Sequence, residues 1–148
     1  MEELVAEYLS HLRVERGSSP RTVEAYARDL GDYAAFLAKR GVESADGVRR
    51  DDVVAYESAL IERGFAPASV KRRVSAIKGF HRFLVREGYA QANPTDALAL
   101  PKVPEALPDV LSIGQVDSLM ASVCGNAPAD LRDRALLEVL YGCGLRAS

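Results

Sequence analysis

A chain of 148 residues, 48% hydrophobic and with a formal net charge of −2, has room for one ordinary domain or for a small domain and part of another. Its apolar content is enough for a packed core, which excludes wholesale disorder. No apolar run approaches the length of a membrane span, and the acidic, amphipathic start "MEELVAEYLSHL" is unlike a secretory signal. The two cysteines, Cys124 and Cys143, stand far apart with no second pair to build a zinc site. The expectation is a reducing cytoplasm, no metal or other cofactor, and two thiols that serve as small buried side chains.

In chain order, the first segment places Leu4, Val5, Tyr8, Leu9 and Leu12 at helical spacing, and Gly17 closes it. Ser19-Pro20 reads as an N-cap followed by proline at the first helical position. Val23, Tyr26, Leu30, Tyr33 and Leu37 then form one apolar stripe that Gly41 ends. A shorter third helix carries Val53, Tyr56, Leu60 and Ile61 up to Gly64. The fourth runs from about Pro67 to Glu87, with Gly88 after it. The stops share a grammar, "ERG", "KRG", "ERG", "REG": a basic last turn suits the negative helix end, and glycine accepts the left-handed position beyond it. No segment alternates as a strand does. The reading is all-α, with a compact four-helix domain over 1–98.

Prolines 94, 101, 104 and 108 follow. Asn93-Pro94 begins a short helical turn, and the later prolines predict an extended, fairly stiff connector over 99–111. In the third part, 112–148, Ser112 and Gln115 fit a capping box opening a helix to about Val123, and a last helix covers roughly Ala129 to Tyr141. Two short helices carrying Val116, Leu119, Leu136 and Val139 cannot bury much of that surface against each other. Roughly forty residues lie near the lower limit for an independent core, so this part reads as the opening of a larger domain.

Charge is unevenly spread. Residues 1–65 carry nine basic and thirteen acidic side chains, residues 66–88 six and one, and residues 89–148 four and seven. A near-neutral total therefore does not exclude a polyanionic partner, because binding follows the local field. In "SVKRRVSAIKGFHRFLVRE" (69–87), Val70, Val74, Ile77, His81 and Leu84 share one helical face. Lys71, Arg72, Ser75, Lys78, Gly79, Arg82 and Arg86 share the other, Phe80 and Phe83 flank the apolar side, and Arg73 sits nearer the core edge. A charged face is ordinarily just solvated. Here opposite charges are almost absent along the helix, so pairing within it is not the purpose. Lysine and arginine suit phosphate oxygens, and a helix of this width fits the major groove of duplex DNA. Gly79 leaves space for a backbone or a phosphate. Ser18, Ser19, Arg21 and Thr22 gather at the start of the second helix, where a phosphate could sit, although simple capping accounts for them as well.

Near the other end of the sequence, "RDRALLEVLYGCGLRAS" resembles the segment of the tyrosine site-specific recombinases (the Xer and phage-integrase family) that holds their first catalytic arginine, written GLR-x-SE. "YLSHLRVERGSSPRTVEAYARDLGDYAAFL" is similar to the family's opening helices. "SVKRRVSAIKGFHRFLVREGYAQANPTDAL" is similar to its "S…RR-SA-R-F…FL…NP" stretch, with Lys78 where arginine is common and His81 where tyrosine is common. "LPDVLSIGQVDSLM" is similar to the start of its catalytic domain. The resemblance covers the whole chain and is closest to the Xer branch, which resolves chromosome dimers.

The resemblance implies a core-binding, SAM-like DNA-binding domain, a linker, and the first two helices of a catalytic domain cut short. It implies duplex DNA carrying a recombination site as partner, a tetramer on that DNA, no metal, and attack of a tyrosine on the scissile phosphate to give a 3′-phosphotyrosyl bond. Arg146 falls at the first catalytic arginine, where a guanidinium fork can hold both non-bridging oxygens. The DNA-binding set is Arg21, Thr22, Lys71, Arg72, Ser75, Lys78 and Arg82. The family's nucleophilic tyrosine, second arginine, lysine and histidines would lie beyond position 148, and none of the six tyrosines here stands in the nucleophile context. The expectation is DNA binding without catalysis, since no covalent route exists without a positioned nucleophile. A reading from another class stands beside it: the closing helices, 112–123 and 129–141, form an interaction module that associates with itself or with a full-length recombinase.

Overall fold

A computed structural model describes residues 1–103 and 109–146. Six α-helices and no strand are found among the described residues: α1 Glu2–Val14, α2 Pro20–Lys39, α3 Arg50–Glu62, α4 Pro67–Arg86, α5 Ile113–Ser122 and α6 Pro128–Gly142. The chain divides into two compact units, Met1–Pro104 and Glu105–Ser148. Part of the expected connector, 104–108, lies outside the described residues, as do the last two residues of "YGCGLRAS".

The helix punctuation follows the local chemistry. Gly17, Gly41, Gly64 and Gly88 all take positive φ, between 58° and 79°. At the end of α2 this turn lets the Gly41 and Val42 amides reach back to the Ala38 and Leu37 carbonyls, each at 3.0 Å. At its start, the Ser19 side chain accepts from the Thr22 amide at 3.2 Å, and Pro20 occupies the first helical position. At the start of α3 the bond runs the other way: Asp52, in the first turn, accepts the amide of the N-cap residue Arg49 at 3.0 Å while Arg40 Nε donates to its other oxygen at 3.1 Å.

In the first unit, the stripes predicted from spacing become the core. Val70, Val74, Ile77, His81 and Leu84 of α4 are all buried, as are Phe80 and Phe83 beside them. From α2, Leu30, Tyr33 and Leu37 meet that face, and α1 adds Val5, Tyr8 and Leu12. Ile61 departs from the expectation and is 60% exposed, because one step along α3 from Leu60 turns it about 100° off the buried face. Beyond α4, the Asn93 carboxamide accepts from the Thr95 amide and hydroxyl at 3.0 and 2.8 Å. The turn buries Thr95 completely and adds Leu98 to the core.

The second unit is differently built. The capping box on α5 forms as expected, with Gln115 N to Ser112 Oγ at 3.3 Å and Ser112 N to Gln115 Oε1 at 2.8 Å. Yet Val116 is the one buried side chain of α5, and α6 has none. Cys124 and Cys143 were expected to be buried and are both exposed. Each sits just past the end of one of these helices, where the packing of α5 and α6 offers no interior to enter.

Candidate nucleic-acid interface

The outward face of α4 carries Lys71, Arg72, Arg82 and Arg86 exposed, with Ser75, Lys78 and Gly79 half-buried between them. Its charges are not equivalent. Arg72 is paired with Asp29, which projects from α2 and is 1% exposed. Arg73 Nε lies 3.5 Å from the other Asp29 oxygen, and its Nη1 donates to Asp32 at 2.8 Å and to the Tyr56 hydroxyl at 3.1 Å. Asp32 also accepts from Arg63 at 2.9 Å and from the Tyr56 hydroxyl at 2.9 Å. This network ties α2, α3 and α4 together on the side from which the basic face projects.

The two carboxylates respond differently. Burial pushes the Asp29 carboxyl up, against the pull of Arg72 and Arg73. Burial also acts on Asp32, but hydrogen bonds from Arg63 and Tyr56 outweigh it and hold that carboxyl below its ordinary value. Sequence reasoning missed both partners, because it looked for opposite charge along the basic helix and not across to α2. The available signal was Asp29 itself, an acid set between Tyr26 and Tyr33 on an otherwise apolar stripe.

Thr22, Ser75, Lys78 and Arg82 line one open cleft of about 320 Å³. Lys78 Nζ donates to the Leu98 carbonyl at 2.5 Å, so its ammonium is steered from behind. The Thr22 hydroxyl lies 2.8 Å from that of Ser19, which shows capping chemistry at the start of α2. Arg21, Lys71 and Arg72 lie outside this lining. Arg21, Lys71 and Arg82 form no hydrogen bond or ion pair among the described residues, so their charge faces solvent. The space at Gly79 is taken by Tyr8, whose hydroxyl a Cβ at that position would strike. Arg146 belongs to the second unit. It is exposed, follows Gly144 (φ 59°), and has no bonded partner among the described residues.

Both histidines serve structure in the first unit. His81 is wholly buried, hydrogen-bonded to the Tyr33 hydroxyl at 3.0 Å, and burial lowers its imidazole to about 4. His11 lies 2.9 Å from Glu15. Among the described residues no group of three or more His, Cys, Asp or Glu side chains is placed to hold a metal, and no helix is long and apolar enough to cross a membrane.

Residues 5–88, from α1 through Gly88, match the phage integrase N-terminal SAM-like domain. The chain belongs to this family. The SAM-like domain is thus the four-helix part of the first unit, with α4 as its basic helix. Over its full length the chain is 38% identical to a tyrosine recombinase XerC of Herpetosiphon aurantiacus, covering 49% of that protein. It is 36% identical to a tyrosine recombinase XerD of Staphylococcus aureus, covering 50% of that one. The chain spans about half the length of the curated relatives it matches.

Proposed function

We propose that these 148 residues bind duplex DNA, as the DNA-holding region of a tyrosine recombinase of the XerC/XerD type. The reaction of such a recombinase is the cutting and rejoining of DNA at a recombination site through a 3′-phosphotyrosyl bond, in chromosome dimer resolution or DNA integration. One observation carries the reading: the exposed face of α4 presents Lys71 and Arg82 with no anionic partner among the described residues, beside a cleft lined by Lys78 and Ser75. In this reading residues 1–98 grip the duplex, 99–111 connect, and Arg146 in 112–148 holds the scissile phosphate. These residues by themselves do not cleave DNA. Tyr33 and Tyr56 support that, since burial pushes both phenols well above their ordinary range and each is engaged, by His81 and by Asp32.

The test is a fluorescence-anisotropy titration against a recombination-site duplex and a scrambled one, at several salt concentrations. Binding is expected to weaken steeply with salt, and each phosphate contact removed is expected to lower the logarithmic slope by about 0.9. Lys71→Glu with Arg82→Glu is the informative variant, because both side chains are exposed and unpaired. Arg72→Glu is not, since it would set a second carboxylate against buried Asp29. Unchanged binding by the double variant overturns the proposal.

A second reading rests on the exposed apolar side chains of the second unit, among them Ile113 (75%), Leu131 (56%) and Leu136 (54%). They fit self-association through α5 and α6, or association with a full-length recombinase. A clean monomer in light scattering at high protein concentration removes the self-association.

A further inference from the structure

Three helical stripes converge on the cleft beside the basic face. Tyr8 and Arg16 come from α1 and the turn after it, Ser18 and Thr22 from the entry to α2, and Ser75, Lys78 and Arg82 from α4. The spacings of three and four residues on α4 put Ser75, Lys78 and Arg82 on one side of that helix. Almost every polar group so placed is a hydrogen-bond donor, and among the described residues no carboxylate lines the cleft. On the floor lies the Tyr8 side chain, 4% exposed, whose hydroxyl has no hydrogen-bond partner among the described residues. Burial, with Tyr26 beside it, pushes that phenol up to about 12 against the pull of Arg16 and Arg82, so at neutral pH it is an O–H donor and never an anion. The hydroxyl is open to the cleft, so it stands free to donate to an acceptor that enters there.

We propose that this cleft is an anchor for a single backbone phosphate of duplex DNA, held by the Arg16 and Arg82 guanidiniums and by the Tyr8 and Ser75 hydroxyls. The inference rests on the DNA-binding reading and assigns it a point of attachment on α1, outside the basic helix. Guanidinium forks and hydroxyls match the charge-assisted hydrogen bonds that phosphate oxygens accept. The duplex is favoured as the source because Ser75, Lys78 and Arg82 continue the face that presents Lys71 and Arg72, so a strand lying along α4 passes the cleft. A phosphate contact of this kind fixes register and carries no base preference of its own.

The experiment replaces the phosphates of the recombination-site duplex one at a time by neutral methylphosphonates and measures binding by the 148-residue chain. At one position the parent protein is expected to lose about tenfold in affinity. Arg16→Ala with Arg82→Ala should bind more weakly overall and be indifferent to that same linkage. Tyr8→Phe keeps the ring between Phe80 and Phe83, 5.7 and 5.3 Å away by centroid. It should blunt the sensitivity at that position without changing the salt slope, because it removes a donor and no charge. An unaltered melting temperature confirms that each variant folds.

The anchor is overturned if the variants keep the parent's full pattern of sensitive phosphates, an outcome that leaves duplex binding itself standing. It is also overturned if inorganic phosphate saturates the Tyr8 ring resonances at millimolar concentration while no linkage is lost in the variants, which would make the cleft a free-anion site. Absence of any duplex binding by the parent overturns both the anchor and the reading beneath it.

Discussion

Helices α4 and α6 are started and stopped by the same devices, and they meet opposite fates. Each begins with proline at its first position, Pro67 and Pro128, and each is followed by a glycine at positive φ, Gly88 and Gly144. Eight residues of α4 are buried, among them Phe80 and Leu84 with no exposed surface, whereas none of α6 is. Local chemistry therefore fixes where a helix begins and ends and says nothing about what it will rest against. Short helices without a packed face are marginal in water, so the stability of the chain resides in the first unit.

The comparison breaks most sharply under truncation of a large side chain. Phe80→Ala empties a site closed by Tyr8 and His81 and is expected to cost about 3–5 kcal/mol in urea denaturation. Leu136→Ala, at a side chain 54% exposed, is expected to stay within about 0.5 kcal/mol. Equal losses would mean that α6 covers a core of its own.

Histidine titration acts on the first unit alone, because both histidines lie there and His81 is the buried one. Its folded-state value of about 4 lies below the ordinary 6.5. Above pH 6.5 the imidazole is neutral in both states and nothing is lost. As pH falls below 6.5 the unfolded chain takes up the proton first, so stability declines down to about pH 4. The total is about 3 kcal/mol, since each pH unit between the two values is worth about 1.36 kcal/mol. Asp29 opposes this at the acid end, since a carboxyl pushed up by burial gains relative stability on protonation. The measurement is the unfolding free energy against pH for the parent and for His81→Gln, which keeps a partner for the Tyr33 hydroxyl. The variant should lose most of the slope between pH 6.5 and 4, and a slope that persists would assign it to other groups.

What the sequence made legible divides along the same line. Helix ends and the two faces of α4 could be read because proline, glycine, serine and apolar spacing act within one segment. The burial of Val74 and Ile77 followed directly. The pairing of Arg72 with Asp29 could not be read that way, since the partners sit on different helices and only the packing of α2 against α4 brings them together. Tyr8 and Arg16 escaped for the same reason: spacing on α4 reveals Ser75, Lys78 and Arg82, but not that α1 closes the cleft from the other side. Cys124 and Cys143 were misjudged from residue type alone, as small apolar side chains are buried only where a neighbour exists to bury them.

The smallest effect sharpens the contrast most directly, because it holds the local chemistry constant. Gly64, after α3, and Gly144, after α6, have φ of 78° and 59°, and a Cβ added at either meets nothing within 4 Å. Alanine at each position therefore brings no clash, only the strain of a left-handed conformation, about 1 kcal/mol in both cases. After α3 that strain falls on the core through Leu60, whose carbonyl accepts the Phe65 amide at 3.1 Å across the turn. Gly64→Ala should therefore lower the main thermal midpoint by about 4–8 °C. After α6 the turn is tied by the Leu145 amide to the Leu140 carbonyl at 3.0 Å, and Leu140 is only half-buried. Gly144→Ala should leave the main transition in place and speed amide exchange in the last turn of α6 alone. A common shift of the midpoint would show that the two units unfold as one, and that α6 draws on the core of the first despite burying nothing of its own.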